Sequence, residues 1–170
     1  MAQQFDALND KLTDFIQQQK IYFVGTATQD RRVNVSPKAM DSLRVLSANQ
    51  VAWLNVTGSG NETAAHVQQQ PCMTLMFCAF EGAPLILRLY GTTKVVHRQD
   101  PQWQELYDLF NLLSGARQIF VLDIDLVQTS CGMAVPFLDY VGEREQLNEV
   151  TAKLGEDGIQ QYWIKKTKPA

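Results

Sequence analysis

Apolar residues near the start of the chain recur at helical spacing. Phe5, Leu8, Leu12, Phe15 and Ile16 fall on one stripe, which predicts an amphipathic helix over residues 4–19. From Ile21 to Thr28 the period changes to a run of β-branched, aromatic and small residues, the pattern of a strand covered on both faces. Gln29-Asp30-Arg31 supplies a turn into a second strand over 32–37. Two more strands are expected over 42–47 and 50–56, parted by Ala48-Asn49. The β pattern lapses between 58 and 70. There Ser59 and Glu62 stand in the S-x-x-E relation of a capping box, which puts the start of a short helix near Gly60. A long hairpin is expected next, 72–80 and 85–97 around Glu81-Gly82-Ala83-Pro84. Asp100-Pro101 opens a helix expected to reach about Leu113, with Ser114-Gly115 ending it. A strand over 117–128, a helix over 143–154 and a shorter element near 158–164 complete the reading.

This order lacks regular βαβ alternation, so a doubly wound parallel sheet is excluded in favour of a mainly β (α+β) fold. An antiparallel barrel or sandwich with peripheral helices fits the hairpins. No repeat and no linker rich in Gly, Pro or Ser divides the chain. The expectation is one domain over 1–170, with an N-terminal helix within 1–20 and a helical C-terminal appendage over 141–170.

Composition narrows the partners. The 170 residues include fifteen Lys and Arg and eighteen Asp and Glu, a net charge of −3, with no basic run longer than two. Nucleic acid and anionic membrane surfaces both call for a clustered basic face, so neither is an expected partner. The Met-Ala-Gln-Gln-Phe-Asp start has no basic n-region or apolar h-region, and no apolar stretch reaches the roughly 20 residues of a spanning helix. Cys72, Cys78 and Cys131 are odd in number and lack CxxC spacing, as free thiols in a reducing compartment would be. A cytoplasmic location is the expectation.

Two segments carry candidate chemistry. In Arg32-Val33-Asn34-Val35-Ser36-Pro37-Lys38 a strand would put Arg32, Asn34, Ser36 and Lys38 on one face. Two cations with an amide and a hydroxyl between them can grip a phosphate, and they can equally be the wet face of a half-buried strand. Asn55-Val56-Thr57-Gly58-Ser59-Gly60-Asn61-Glu62-Thr63 is a glycine-containing loop opening a helix, where free N–H groups offer an anion seat. The plainer reading is a capped helix after a tight turn, with Glu62 adding a negative charge.

Those segments, with Val51-Ala52-Trp53-Leu54 before the loop, His66 after it, and Leu87-Arg88-Leu89-Tyr90-Gly91, resemble the pyridoxamine-5′-phosphate-oxidase-like flavoproteins. The likeness runs over about residues 5–130 and is strongest from 32 to 91. Thr129-Ser130-Cys131-Gly132 and Val135-Pro136 resemble an uncharacterised branch of the group. The resemblance implies a split β-barrel homodimer with FMN at the subunit interface and flavin oxidoreductase activity on a small molecule. It also implies FMN ligands: Arg32, Asn34, Ser36 and Lys38 from the basic strand, then Asn55, Thr57, Ser59, Gly60, Asn61 and Thr63 from the loop. The alternative is a non-catalytic carrier of flavin, deazaflavin or haem. Three departures argue against vitamin B6 oxidation. Ser59-Gly60-Asn61 stands where true oxidases carry Ser-Arg-Lys, the hairpin glutamine is replaced around Ile86, and no histidine follows His97.

Other candidates are thin. His66 and His97 form no metal-ligand spacing; His66 either caps a polar helix face or is an axial haem ligand. Cys131 sits in a loop-like setting as a nucleophile without a nameable base, or as a buried structural thiol. Cys72 and Cys78, six apart on one strand face, read as core. Arg88, between Leu87 and Leu89, needs a partner if buried.

Overall fold

Leu12 and Ile16 do bury one face of a helix, α1 (Asp10–Gln18). The computed structural model, which describes residues 2–28, 32–58, 60–111, 113 and 115–167, starts that helix later than the apolar spacing predicts. The Asn9 side chain accepts from the Leu12 amide at 3.0 Å, an N-cap. Upstream, β1 (Gln3–Phe5) is extended, because the free edge of a long late strand satisfies its backbone there. The helix expected within the first twenty residues is therefore a short strand followed by nine helical residues.

β2 (Tyr22–Thr26) and β3 (Asn34–Lys38) form the expected antiparallel hairpin, whose connecting residues 29–31 lie outside the described residues. β2 is not covered on both faces. Tyr22, Val24 and Thr26 are buried, whereas Phe23 and Gly25 look onto an outer groove beside Val33 and Val35. The remaining elements are β4 (Leu43–Ser47), β5 (Gln50–Val56), α2 (Glu62–Gln69), β6 (Cys72–Cys78), β7 (Ile86–His97), α3 (Trp103–Tyr107), β8 (Ala116–Ser130) and α4 (Gln146–Thr167). Pairing runs β3-β2-β6-β7-β8-β5-β4, antiparallel throughout, with β1 beside β8. The result is an antiparallel split barrel, mainly β with peripheral helices.

β8 holds it together. One edge pairs with β7 throughout, and the other is shared by β5 along Ala116–Asp123 and β1 along Val127–Thr129. A bulge between Tyr90 and Gly91 bends the β7–β8 ladder. A Cβ at Gly91 would overlap the Asp123 carbonyl, so only glycine fits that approach.

Alternation sorts β5 and β8 into two cores. Val51, Trp53, Phe120 and Leu122 point into the barrel, where Trp53 and Phe120 stack 4.5 Å apart. Ala52, Leu54, Ile119 and Val121 form a second cluster with Trp103 and Phe110 outside it. That second cluster explains why α3 is five residues long rather than running from 100 to 113. The Asp100 carboxylate accepts from the His97 amide at 2.8 Å, and past Tyr107 the chain turns to bury Phe110. α4 is two helical pieces joined at Gly155, which has φ 62° and ψ 176°. Two elements are expected there, but the first begins at Gln146 rather than 143. The second, expected to be the shorter, runs on to Thr167 and is the longer. Among the described residues no helix is long and apolar enough to cross a membrane.

Candidate functional site

The β2–β3 register aligns Tyr22 with Lys38, Val24 with Ser36 and Thr26 with Asn34, so the polar face of β3 looks over a buried apolar row. Across the barrel's open seam lies the end of β5 and the loop into α2. Between them is a cavity of about 370 Å³. It gathers Asn34, Ser36 and Lys38 from β3 with Asn55, Gly60, Asn61 and Thr63 from the second segment, seven of the residues that the sequence nominates.

Each of these side chains is held differently. The Asn34 amide donates to Thr63 Oγ1 at 3.1 Å and Thr26 Oγ1 at 3.3 Å, and Thr26 Oγ1 in turn meets His66 Nδ1 at 3.2 Å. Asn61 precedes α2, but its Oδ1 accepts from Gln118 Nε2 at 3.1 Å instead of capping the helix. α2 therefore begins at Glu62, two residues past the start expected near Gly60. Ser36 Oγ is buried and has no hydrogen-bond partner among the described residues. A buried hydroxyl left so costs about 1–3 kcal/mol, unless a ligand satisfies it.

Lys38 is the one cation among the described residues on the cavity wall. Its Nζ lies 5.2 Å from the centroid of the Trp53 ring. Burial pulls its ammonium below the ordinary lysine range, and the nearby Glu62 carboxylate opposes that shift. Among the described residues it has no carboxylate within ion-pair reach. Glu62 is exposed, yet its carboxylate folds back over Gly60 so closely that a Cβ there would overlap it.

The corner after β3 is cross-linked by side chains. Met40 and Asp41 take positive φ of 64° and 52°. Ser42 Oγ donates to the Ala39 carbonyl at 2.6 Å and meets the Tyr22 hydroxyl at 2.9 Å. Burial raises the Tyr22 pKa far above the usual tyrosine range. Arg44 clamps both Asp41 oxygens at 2.8 Å and donates to the Leu109 carbonyl at 2.8 Å.

Three nominated residues stand apart. Arg32 is exposed ahead of β3 and does not line the cavity. Ser59 lies outside the described residues. Thr57 is buried with its hydroxyl committed, donating to the Gly115 carbonyl at 2.8 Å and accepting from Trp163 Nε1 at 2.9 Å. That last bond was invisible in the sequence, because α4 reaches back over the loop. Tyr162 adds a hydrogen bond to the Gly58 carbonyl at 3.3 Å, and the Arg98 and Arg117 guanidinia lie 5.2 and 5.3 Å from the Trp163 ring centroid. Gly115, at φ 79°, is wedged between Thr57 and Thr151. Leu147 at the start of α4 and Leu113 complete the cavity wall.

The remaining candidates find plain places. Cys72, which opens β6, and Cys131, just past the end of β8, are exposed and not core. Cys78 is buried, which pushes its thiol pKa up. Arg88 donates to Ser130 Oγ at 3.1 Å. His66 lines neither this cavity nor the larger one next to it. Among the described residues no cluster of three or more His, Cys, Asp or Glu side chains could hold a metal.

Residues 8–131 match the family model described as pyridoxamine 5′-phosphate oxidase. A curated relative, the pyridoxamine 5′-phosphate oxidase family protein ustO of Aspergillus flavus, is 39% identical over 146 residues, 83% of this chain. The chain spans 59% of that relative's length. Solved structures share the fold. The FAD binding protein from Mycobacterium smegmatis superposes with a TM-score of 0.53 at 11% identity, over 74% of this chain and 97% of its own. HutZ, the heme storage protein from Vibrio cholerae, gives 0.52 at 19% identity, over 74% and 97%.

Proposed function

We propose that this chain, which belongs to the pyridoxamine 5′-phosphate oxidase family, binds FMN in the cavity between β3 and the β5–α2 loop. On this reading it is a flavin-dependent oxidoreductase of a small molecule other than a B6 vitamer, working in the cytoplasm as a homodimer. The observation that carries the reading is the pairing of two unmet groups on one wall. The Ser36 hydroxyl is buried without a partner, and the Lys38 ammonium is partly desolvated without an ion pair among the described residues. Neither arrangement favours the empty fold; both suit a bound anion.

When bound, the flavin supplies hydride and electron transfer, and the protein supplies position and field. Lys38 and Ser36 would hold the phosphate or ribityl oxygens. The Asn55 amide offers a further polar contact, while the hydrogen bonds from Gln118 to Asn61 and from Asn34 to Thr63 keep the loop in place. The second copy is suggested by edge strand β3. Val35 within it and Val33 just ahead of it are 62% and 69% exposed, and a partner covering them would also shield the seam.

A visible spectrum after adding FMN and removing the unbound fraction tests the reading. Retained flavin bands that fade in a Ser36→Ala, Lys38→Ala variant, from a dimer by light scattering, are expected. Reduction of the bound flavin by NADH, with turnover in the presence of an acceptor, would separate an enzyme from a carrier. A folded, colourless protein that refuses FMN would overturn the proposal, as would a Soret band that depends on His66.

A further inference from the structure

A second cavity, about 800 Å³, adjoins the first and shares Ala39, Met40 and Leu147 with it. Its floor is the end of α1, the start of β2 and the turn at Phe80. Its outer wall is the segment from Leu138 to Leu147. Two contacts tie the wall to the floor, and a third braces it internally. The Leu138 amide donates to the Phe80 carbonyl at 3.1 Å, the Lys20 ammonium lies 5.7 Å from the Tyr140 ring centroid, and the Tyr140 hydroxyl donates to Glu143 Oε1 at 3.0 Å. A segment with so much exposed apolar surface, Leu138 and Val141 above all, has little reason of its own to lie here. What its placement makes is a half-open pocket.

The lining specifies the occupant. Ile21, Phe23, Met40, Phe80, Leu138 and Leu147 make the walls apolar and partly aromatic. Charges are confined to both signs together, Lys20 and Arg144 against Glu81, Asp139 and Glu143, so the cavity favours no single ionic form. Its size is that of pockets that enclose drug-sized molecules. The cofactor cavity differs in kind, with polar groups and the Lys38 ammonium on its wall.

We infer that the cavity under the 138–147 segment is the substrate pocket, and that it takes a neutral, ring-bearing apolar molecule and presents it to the neighbouring cofactor cavity across Met40 and Leu147. The substrate role rests on the flavin reading above; the binding site itself does not.

The test uses the full chain and N-phenyl-1-naphthylamine, a neutral aromatic whose fluorescence rises in apolar surroundings and whose blue emission overlaps flavin absorption. Saturable binding to the wild-type protein is expected, at least tenfold weaker in Leu138→Trp and in Ile21→Trp, both of which fill the cavity from partly exposed positions. Circular dichroism checks that each variant is folded. Bound FMN should quench the bound probe, and its own affinity should stay within twofold in both variants. Probe binding that is absent, or unchanged in two folded variants, overturns the inference. Cavity-dependent probe binding in a protein that refuses FMN keeps the site and overturns its substrate role together with the flavin reading. Bound FMN that leaves the probe unquenched overturns the adjacency on which the substrate role depends.

Discussion

Glu62→Gln is expected to tighten FMN binding and to leave riboflavin binding unchanged. The Glu62 carboxylate lies against Gly60 and near enough to Lys38 to act on its proton, so it occupies ground that a phosphate on the same loop requires. Glu62 is exposed, and the interaction is therefore screened by water. A pair of unit charges at about 5 Å is worth roughly 0.8 kcal/mol at the dielectric constant of water. A phosphate monoester carries about 1.5–2 charges at neutral pH. The repulsion is then about 1.2–1.6 kcal/mol, roughly tenfold in Kd. Because the side chain is free to turn toward solvent, about five- to tenfold is the expected gain, read by quenching of flavin fluorescence at low salt. The gain should shrink at high salt as the Debye length falls. Riboflavin, which has the same ring and ribityl chain but no phosphate, is the control. An equal gain for riboflavin, or none for FMN at low salt, refutes the placement of the phosphate on this loop.

Lys38→Met should weaken FMN about 10- to 100-fold, the loss of a charge-assisted hydrogen bond worth about 1.5–3 kcal/mol, while thermal unfolding of the ligand-free protein does not suffer. The folded Lys38 pKa lies below the unfolded value of 10.5, so the unfolded chain binds more protons between the two. Stability of the ligand-free protein contributed by this group therefore rises with pH through that window, and FMN affinity falls over it, measurable by denaturant titration and flavin binding across the alkaline range. Gly115→Ala forces a side chain into φ 79° with its Cβ 2.7 Å from Thr151 Cγ2. A loss of about 2–3 kcal/mol in urea unfolding is expected, of which the left-handed backbone accounts for about 1–2. Trp163→Phe removes the donor to Thr57 and should lower FMN affinity by about three- to tenfold, from about 0.5–1.5 kcal/mol, with little change in far-ultraviolet dichroism. Mass spectrometry after brief alkylation should find Cys72 and Cys131 labelled and Cys78 labelled only on unfolding, since burial both hides that thiol and raises its pKa.

The strand pattern was legible because alternation is a local property. The period of two over Asn34, Ser36 and Lys38 places those side chains on one face whatever the rest of the chain does. The loop at 57–63 was readable from its glycines and its position ahead of a helix. Phe5 misled because it extends the helical spacing of Leu8 and Leu12, and only a strand near the other end of the sequence explains its extended backbone. The early end of α3 depends on where Phe110 finds a core, again a tertiary matter. Thr57 reads as a free hydroxyl until a tryptophan from α4 is brought onto it. Nothing in the composition of residues 141–167 announces that this segment walls two cavities and buttresses the loop between β5 and α2.

The position of β8 also sets a timetable for biosynthesis. Gln3 pairs with Thr129, and β5 and β7 both complete their ladders on the same strand. At ~5–20 residues per second a ribosome needs on the order of ten seconds to deliver β8 after β1 has emerged. During that interval the nascent chain carries two long unpaired strand edges, and neither of its cores can close. A stalled or truncated product lacking β8 is not a slightly weakened protein but an open four-stranded sheet, β3-β2-β6-β7, and a separate β4–β5 hairpin, a natural client for chaperones and a template for aggregation.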